Sequence, residues 1–301
     1  MRPRRLRCAV VLVLLLLGPA ACASGPSDPA DPRAAAIRLA AYDFSENQIL
    51  AAVYAEGLRR AGLPVSLQPD AGTREVVEPA LEQGVVDVVI DYLGTALDFA
   101  RPGDTGDAGS PTSQHAALQE TLGARGITVL TPAAAEDQNG FAVSASFAQE
   151  HGVSQLSDLA PLAPGLTFGG PPECRQRPLC LPGLVAVYGL RFGGVQVMPS
   201  RGATVEALMS GDIDVGLLET TDARLERFPI VLLQDDRSLQ PHENVVPLVR
   251  TPVLDRWGDR LRRALDDVSA RLTTHDLLEL NRAVEIDGRT PAEAARGWWA
   301  G

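Results

Sequence analysis

Apolar positions along this chain fall into short runs, and their spacing alternates between a helical period and a strand period. Between residues 45 and 61, Ile49, Leu50, Val53, Tyr54 and Leu58 recur at three- and four-residue steps, the stripe of an amphipathic helix. Ser45 and Gln48 make a capping-box pattern at its start. Residues 64–68 read as a strand, 73–83 as a helix and 85–90 as a buried strand. Helices follow at 114–124, 184–190 and 204–210. Strands are expected at 127–130, 141–143, 166–168, 195–197, 213–218, 230–233 and 245–249. Three helices (255–272, 274–284 and 291–299) close the chain. Strands alternating with helices across tight glycine turns predict an α/β fold with parallel sheets.

One pattern appears twice. Ala80-Leu81-x-x-Gly84-x-x-Asp87-Val88 returns as Ala207-Leu208-x-x-Gly211-x-x-Asp214-Val215, at a constant offset of 127 residues. Each copy reads as a helix end, a glycine free to take positive φ, and a nearly continuous apolar strand covered on both faces. Any α/β protein repeats helix–Gly–strand. Two copies sharing Ala, Leu, Gly, Asp and Val favour two lobes of similar build.

The N-terminus belongs to neither lobe. Arg2, Arg4, Arg5 and Arg7 precede the apolar run 9–17, which is shorter than the ~20 residues of a spanning helix. A signal peptide over residues 1–21 is predicted. Ala20, Ala21 and Cys22 resemble a bacterial lipobox, although Pro19 stands where leucine is usual. That resemblance implies diacylation of Cys22; ordinary signal cleavage is the other reading. Residues 22–36, rich in Ser, Pro, Asp and Ala, are expected to form a lipidated, disordered tether with a reach of roughly 20 Å. No later segment reads as a transmembrane helix, so the mature chain is expected outside the cell. It would sit on the outer face of the cytoplasmic membrane, held by lipid alone.

Composition narrows the partners. A net charge of −11 argues against nucleic acid or an anionic lipid surface, and 45% apolar residues suit a globular body. Of four cysteines, Cys174 and Cys180 remain after Cys8 and Cys22 are accounted for. In an oxidising compartment they are expected to pair, restraining the unfolded chain by about 2.4 kcal/mol. A metal site is the alternative, but two cysteines without further ligands at the right spacing fall short of four.

The motifs Phe44-Ser45-Glu46-Asn47-Gln48-Ile49-Leu50 and Asp91-Tyr92-x-Gly94-Thr95-Ala96-Leu97 resemble those of glycine betaine/choline substrate-binding proteins (OpuAC/OpuBC/OsmF-type) of ABC importers. Gly169-Gly170-Pro171-Pro172-Glu173, Arg177-Pro178 and Thr220-Thr221-Asp222 add to the likeness, which runs in order from Ile37 to Trp298. The resemblance implies a type II periplasmic-binding-protein fold of two α/β lobes joined by two crossover strands. Lobe 1 is expected at 37–138 plus 238–301 and lobe 2 at 139–237, with hinges near 139–141 and 236–239. It also implies a protein that captures a small quaternary-ammonium or zwitterionic solute (glycine betaine, choline or a related betaine) and delivers it to ABC permease subunits.

A quaternary ammonium donates no hydrogen bonds, so ring faces and nearby negative charge must hold it. A carboxylate would want Arg or free backbone N–H groups. The ligand-binding candidates are therefore Phe44, Ser45, Gln48, Thr73, Asp91, Tyr92, Phe141, Arg177, Thr220, Thr221 and Asp222. Tyr92, following a buried strand, stands first; a tyrosine capping the sheet is its bland reading. Phe44 and Ser45 either face ligand at a helix mouth or cap the helix. Phe141 lies where the family often has a crossover tyrosine, or packs the hinge. Arg177 either clamps a carboxylate from within the Cys174–Cys180 loop or is a surface arginine. Asp91 either faces the cation or ends its strand in solvent. Asp222 either caps a helix or joins Thr220 and Thr221 at ligand. Tyr188, Trp257, Trp298 and Trp299 are read as packing.

One departure from the family matters. Choline-binding members carry a tyrosine near the second crossover, where this chain has Gln240-Pro241-His242-Glu243-Asn244, and four tyrosines in all cannot build a full cage. A thinned cation box implies either weak betaine binding or another zwitterion, such as ergothioneine. No G-x-S-x-G, H-E-x-x-H or Walker A pattern supports an enzyme. No cofactor or metal is expected, and the protein is expected as a monomer. A solute-sensing lipoprotein, or a binder of a different small polar metabolite such as an amino acid, is the alternative.

Overall fold

The apolar segments after Gly84 and Gly211 enter two separate sheets. The computed structural model describes residues 36–102 and 109–301; the expected signal peptide, Cys22 and nearly all of the tether lie outside the described residues. Among the described residues no helix is long and apolar enough to cross a membrane.

The first lobe opens with β1 (Ile37–Ala40), α1 (Ser45–Arg60), β2 (Val65–Gln68), α2 (Arg74–Glu82) and β3 (Val88–Tyr92). It continues with α3 (Leu93–Ala100), α4 (Pro111–Gly123) and β4 (Ile127–Val129). The second lobe holds β5 (Asn139–Ser144), α5 (Ala145–His151), β6 (Thr167–Gly170) and α6 (Leu181–Tyr188), then β7 (Gly194–Val197), α7 (Arg201–Ser210), β8 (Val215–Glu219) and β9 (Ile230–Leu233). The chain returns to the first sheet as β10 (Val245–Arg250) and ends in α8 (Thr251–Trp257), α9 (Asp259–Arg271), α10 (Thr274–Glu285) and α11 (Pro291–Ala300).

Strand order is β2-β1-β3-β10-β4 in the first sheet and β7-β6-β8-β5-β9 in the second. The two orders are equivalent, with β10 and β5 in matching places. Both of those strands arrive from the other lobe, and both run antiparallel to their neighbours. The sheets are therefore mixed, which corrects the expectation of parallel sheets. A strand fed by a crossover from outside the lobe needs no helix to reverse it.

The repeated motif has a mechanical basis in this arrangement. Gly84 (φ 75°) and Gly211 (φ 79°) end α2 and α7 in the left-handed region, where a side chain would be strained. Val85 and Asp212 then donate their N–H to the carbonyls of Ala80 and Ala207, at 2.8 and 3.0 Å. The two aspartates grip the neighbouring strand: Arg38 N donates to Asp87 at 3.0 Å and Thr167 N to Asp214 at 2.7 Å. The strands start later than the apolar runs predict, at Val88 and Val215. Val85 lies in the turn and is 60% exposed.

Three further differences have simple causes. Gly258 (φ 57°) breaks the helix expected over 255–272 into α8 and α9. The capping box is not formed, because α1 begins at Ser45 with Phe44 as N-cap and no side-chain cap bond. Residues 93–100, read only as a motif, form α3, which has no polar stripe to announce it because it is packed under α4.

Successive β3 residues face opposite sides of the first sheet. Val88, Ile90 and Tyr92 point into a core with α1 and the C-terminal helices, while Val89 points towards α2, α3 and α4. That alternation decides the site.

Candidate functional site

A cleft of about 870 Å³ lies between the lobes, at the ends of β3 and β8 and the starts of α1, α2 and α7. Ligands in open α/β sheets sit at such strand ends. The wall given by the first lobe is aromatic. Tyr42, Phe44 and Tyr92 form a row with ring centroids 6.1 and 6.0 Å apart, and Phe99 adds a fourth ring. Among the described residues the facing wall carries no aromatic ring: it is built from the 171–180 loop, Val197–Arg201, Leu217, Glu219 and Arg224.

Charge divides the same way. The first lobe and the crossovers bring Asp43, Glu75, Asp98, Asp137, Glu243 and Glu285 to the cleft against one cation, Arg74. The second lobe brings Arg177, Arg201 and Arg224 against Glu173 and Glu219. Among the described residues eight carboxyls and four guanidiniums line the cleft, and only the second wall holds more cations than acids.

Behind the rings lies a buried network. Asn47 locks the turn that carries Phe44, accepting from Tyr42 N at 2.7 Å and donating to Ile90 O at 2.8 Å. Arg74 packs over the Tyr42 ring at 4.7 Å and is held by Asp91 through Nε (3.2 Å) and an Nη. Tyr42 Oη reaches both Asp91 (2.7 Å) and Glu78 (2.8 Å). Burial raises Glu78 to about 8, with the nearby Asp91 charge adding to it. Asp91 is lowered: burial alone would raise it, but the Arg74 guanidinium outweighs that.

On the opposite face of β3, Tyr92 Oη donates to Glu46 at 2.7 Å. Glu46 also accepts from Asn281 Nδ2 (2.6 Å) and from the Thr221 hydroxyl of the second lobe. Asp137, on the first crossover, accepts from Thr220 Oγ1 (3.0 Å) and Thr221 N (3.1 Å). Burial raises both carboxyls, Asp137 well above the ordinary range. Glu243, on the second crossover, accepts from Thr95 N at 3.0 Å and from the Thr95 hydroxyl, and burial lifts it to about 8. Gly94 makes this possible, since a Cβ there would stand 2.3 Å from Pro241 and 2.9 Å from His242 O.

The two crossovers are joined directly: Gln138 Nε2 donates to Pro241 O at 2.7 Å and Asn139 Nδ2 to Gln240 Oε1 at 3.2 Å. Two ion pairs then bridge the cleft. Arg177 meets Glu75 at 3.2 Å on the rim, and Arg224 meets Glu285 at 2.6 Å deeper in.

The sequence-derived candidates separate on this frame. Phe44, Ser45, Thr73, Tyr92 and Arg177 line the cleft. Thr221 and Asp222 line a small adjoining pocket of about 30 Å³ with Phe44, Ser45 and Glu46. Asp222 accepts from Arg224 N at 2.9 Å as the cap of a short 3₁₀ turn. Gln48, Asp91, Phe141 and Thr220 are absent from both linings. Asp91 and Tyr92 are adjacent in a strand and so face opposite sides, with Asp91 fully buried against Arg74. Phe141 points into the second lobe's core, 6.2 Å from Phe168. The Thr220 hydroxyl is spent on Asp137 and Gln138 N. Cys174 and Cys180 are disulfide-bonded, with Cα atoms 5.3 Å apart, around the segment that presents Arg177.

Sequence reading missed Arg74, Asp137, Arg201, Glu219, Glu243 and Glu285. The signal for Arg201 and Glu219 was their place at the start of a helix and the end of a strand. They pair at 2.6–2.7 Å on the cleft wall.

A cleft at matching strand ends of two equivalent lobes, with rings on one wall and arginines on the other, suits capture of a small dipolar solute. Residues 35–301 match the family model described as the substrate binding domain of ABC-type glycine betaine transport systems. The chain belongs to that family. It is 30% identical over 274 residues to the glycine-betaine-binding protein of Pseudomonas aeruginosa, covering 87% of this chain and 86% of that one. The ergothioneine transport permease/binding protein EgtU of Helicobacter pylori is 22% identical over 258 residues, 84% of this chain and 45% of its own. Among solved structures, a glycine betaine/carnitine/choline ABC transporter protein superposes with a TM-score of 0.70 at 22% identity, covering 88% and 97% of the chains. A choline-binding protein in complex with choline gives 0.64 at 17% identity, over 87% of each chain. Family and fold are thus those of a two-lobed substrate-binding transport protein, not an enzyme.

Proposed function

We propose that this protein captures a small zwitterion with a quaternary-ammonium or comparable cationic end, and hands it to an ABC permease. The observation that carries the reading is the polarised cleft. The cation would lie over Tyr92 and Phe44, among the carboxylates of the first wall; a cation over such faces gains ~0.5–2 kcal/mol per ring. The ligand's carboxylate would turn to the second wall, where Arg177 offers a planar fork. Glycine betaine heads the list of candidates because the relative of highest identity named above binds it by name.

A second reading, a ring-bearing betaine such as ergothioneine, is favoured by the scarcity of rings on the second wall. Glu219 there offers acceptors that a trimethylammonium cannot use and a ring N–H can. The chain is further proposed to be exported by residues 1–21, anchored through Cys22 and monomeric, with lobe 1 at 37–138 plus 238–301 and lobe 2 at 139–237.

A thermal-shift series with glycine betaine, choline, carnitine, ergothioneine, proline and polyamines tests the reading. Ligand at 100 Kd should add about 2.7 kcal/mol of stability. A melt moved by none of the zwitterions and quaternary amines would sink the ligand class and leave the fold untouched. Palmitate labelling, with Cys22→Ser as control, tests the anchor.

A further inference from the structure

Two carboxyls from the first-lobe side meet where the lobes join. Glu46, on α1, and Asp137, on the first crossover, are 5% and 6% exposed and both accept from Thr221, through its hydroxyl and its N–H respectively. Two buried carboxyls held by one threonine, with no cation against them, favour a single negative charge, so one proton is shared between them. Thr220 adds a second bond to Asp137, so both carboxyls are held by the second lobe. The charged and titratable groups around them are Tyr92 on β3, Glu219 at the end of β8, and Arg201 on α7, which is already bound by Glu219. Glu285 of α10 lies on the same small pocket but is paired with Arg224. No cation is therefore in contact with Glu46 or Asp137 among the described residues, while Asp137 lines the cleft beside Tyr92.

We propose that Asp137 and Glu46 are the counter-charge for the ligand's cation, and that binding expels the proton the two share. This rests on the reading of the cleft as a cation site. A cation over the Tyr92 ring lies next to Asp137 and stabilises the doubly ionised pair. The proton leaves to solvent, and the pair's lost neutralisation is replaced by the ligand. Affinity must then rise with pH and fall on acidification, by up to tenfold per pH unit for one proton.

Isothermal titration of the whole protein with glycine betaine, choline and ergothioneine, in buffers of different ionisation enthalpy at pH 7, measures the proton directly. A buffer-dependent heat corresponding to release of up to one proton is expected, with Kd rising as pH is lowered. Asp137→Asn should cut the proton release to a fraction of the parent's, raise Kd at least tenfold at pH 8 and leave a pH dependence of Kd no larger than about fivefold, the share of the Arg224–Glu285 pair. Glu46→Gln should do the same while keeping the acceptor for Tyr92. Heat without buffer dependence overturns the inference alone, and needs no variant. Proton release that survives undiminished in both variants also overturns it. No heat with any of the three ligands overturns the functional reading, and the inference with it.

Discussion

Tyr92 does two things that substitution can separate. Its ring faces the cleft and its hydroxyl satisfies Glu46. Tyr92→Phe keeps the ring and leaves a buried acceptor short of one donor, which should cost about 1–2 kcal/mol of stability with little change in ligand affinity. Tyr92→Ala removes the ring and should weaken binding roughly ten- to thirtyfold, matching ~1.4–2 kcal/mol of cation–ring attraction. Calorimetry and chemical denaturation of both variants check this; equal affinity in Tyr92→Ala would remove the ring from the site. Glu243 makes a separate prediction about pH. Its folded pKa, raised by burial to about 8, lies above the unfolded value near 4.5. The protonated form is thus favoured by folding, and its contribution is full below about pH 4.5 and lost as pH rises towards 8. Glu243→Gln, neutral throughout, should flatten the fall in stability between pH 5 and 8. Melting curves across that range test it, and an unchanged slope would assign the fall to other buried carboxyls such as Glu78. Tyr92 was legible from its motif and its place after a strand. Asp137 was not, since an acid in a polar stretch looks solvated until a fold buries it.

At the scale of elements, the clearest sequence signal was the doubled Ala-Leu-x-x-Gly-x-x-Asp segment. It was legible because each residue answers to a local cause: a left-handed helix end and a carboxylate gripping the next strand. The reversed directions of β5 and β10 were hidden because only the crossovers dictate them. The terminal tryptophans, read as packing, form a clasp. Trp299 donates to Val53 O at 3.0 Å, Trp298 to Asp276 at 2.9 Å, and Arg271 lies over both rings at 4.9 and 4.6 Å. Gly57 lets α11 approach α1, since a Cβ there would sit 2.8 Å from the Trp299 ring. Trp299→Ala should therefore destabilise the protein by about 2–3 kcal/mol, below the range for a fully buried aromatic because the ring is only partly buried. Ligand affinity measured well below the melting transition should be unchanged, because Trp298 and Trp299 line neither the cleft nor its adjoining pocket. A fall in affinity with no loss of stability would contradict that separation.

At the scale of the whole molecule, the lobes are held by bonds that differ in how they answer to pH. The Thr220–Thr221 contacts and the Gln138–Pro241 bond sit at the crossovers, near the axis about which the lobes would turn. The Arg224–Glu285 pair lies in the cleft itself and spans the lobes at 2.6 Å. Burial raises Glu285 to about 7, against the pull of Arg224. Above that value the pair is ionised and draws the lobes together; below it the carboxyl is protonated and the attraction is lost. A partly buried pair of this kind is worth about 1 kcal/mol, or roughly a fivefold change in the closed-to-open ratio. Apparent Kd is the intrinsic Kd divided by the closed fraction, so ligand binding should weaken by at most that factor when the pair is broken. Small-angle scattering on the unliganded protein should show a larger radius of gyration at pH 6 than at pH 8. Glu285→Gln, which keeps the shape and cannot ionise, should show the larger radius at both. If the variant instead keeps a pH-dependent radius like the parent's, the opening is driven elsewhere, and the Glu46–Asp137 pair at the crossover becomes the group to test.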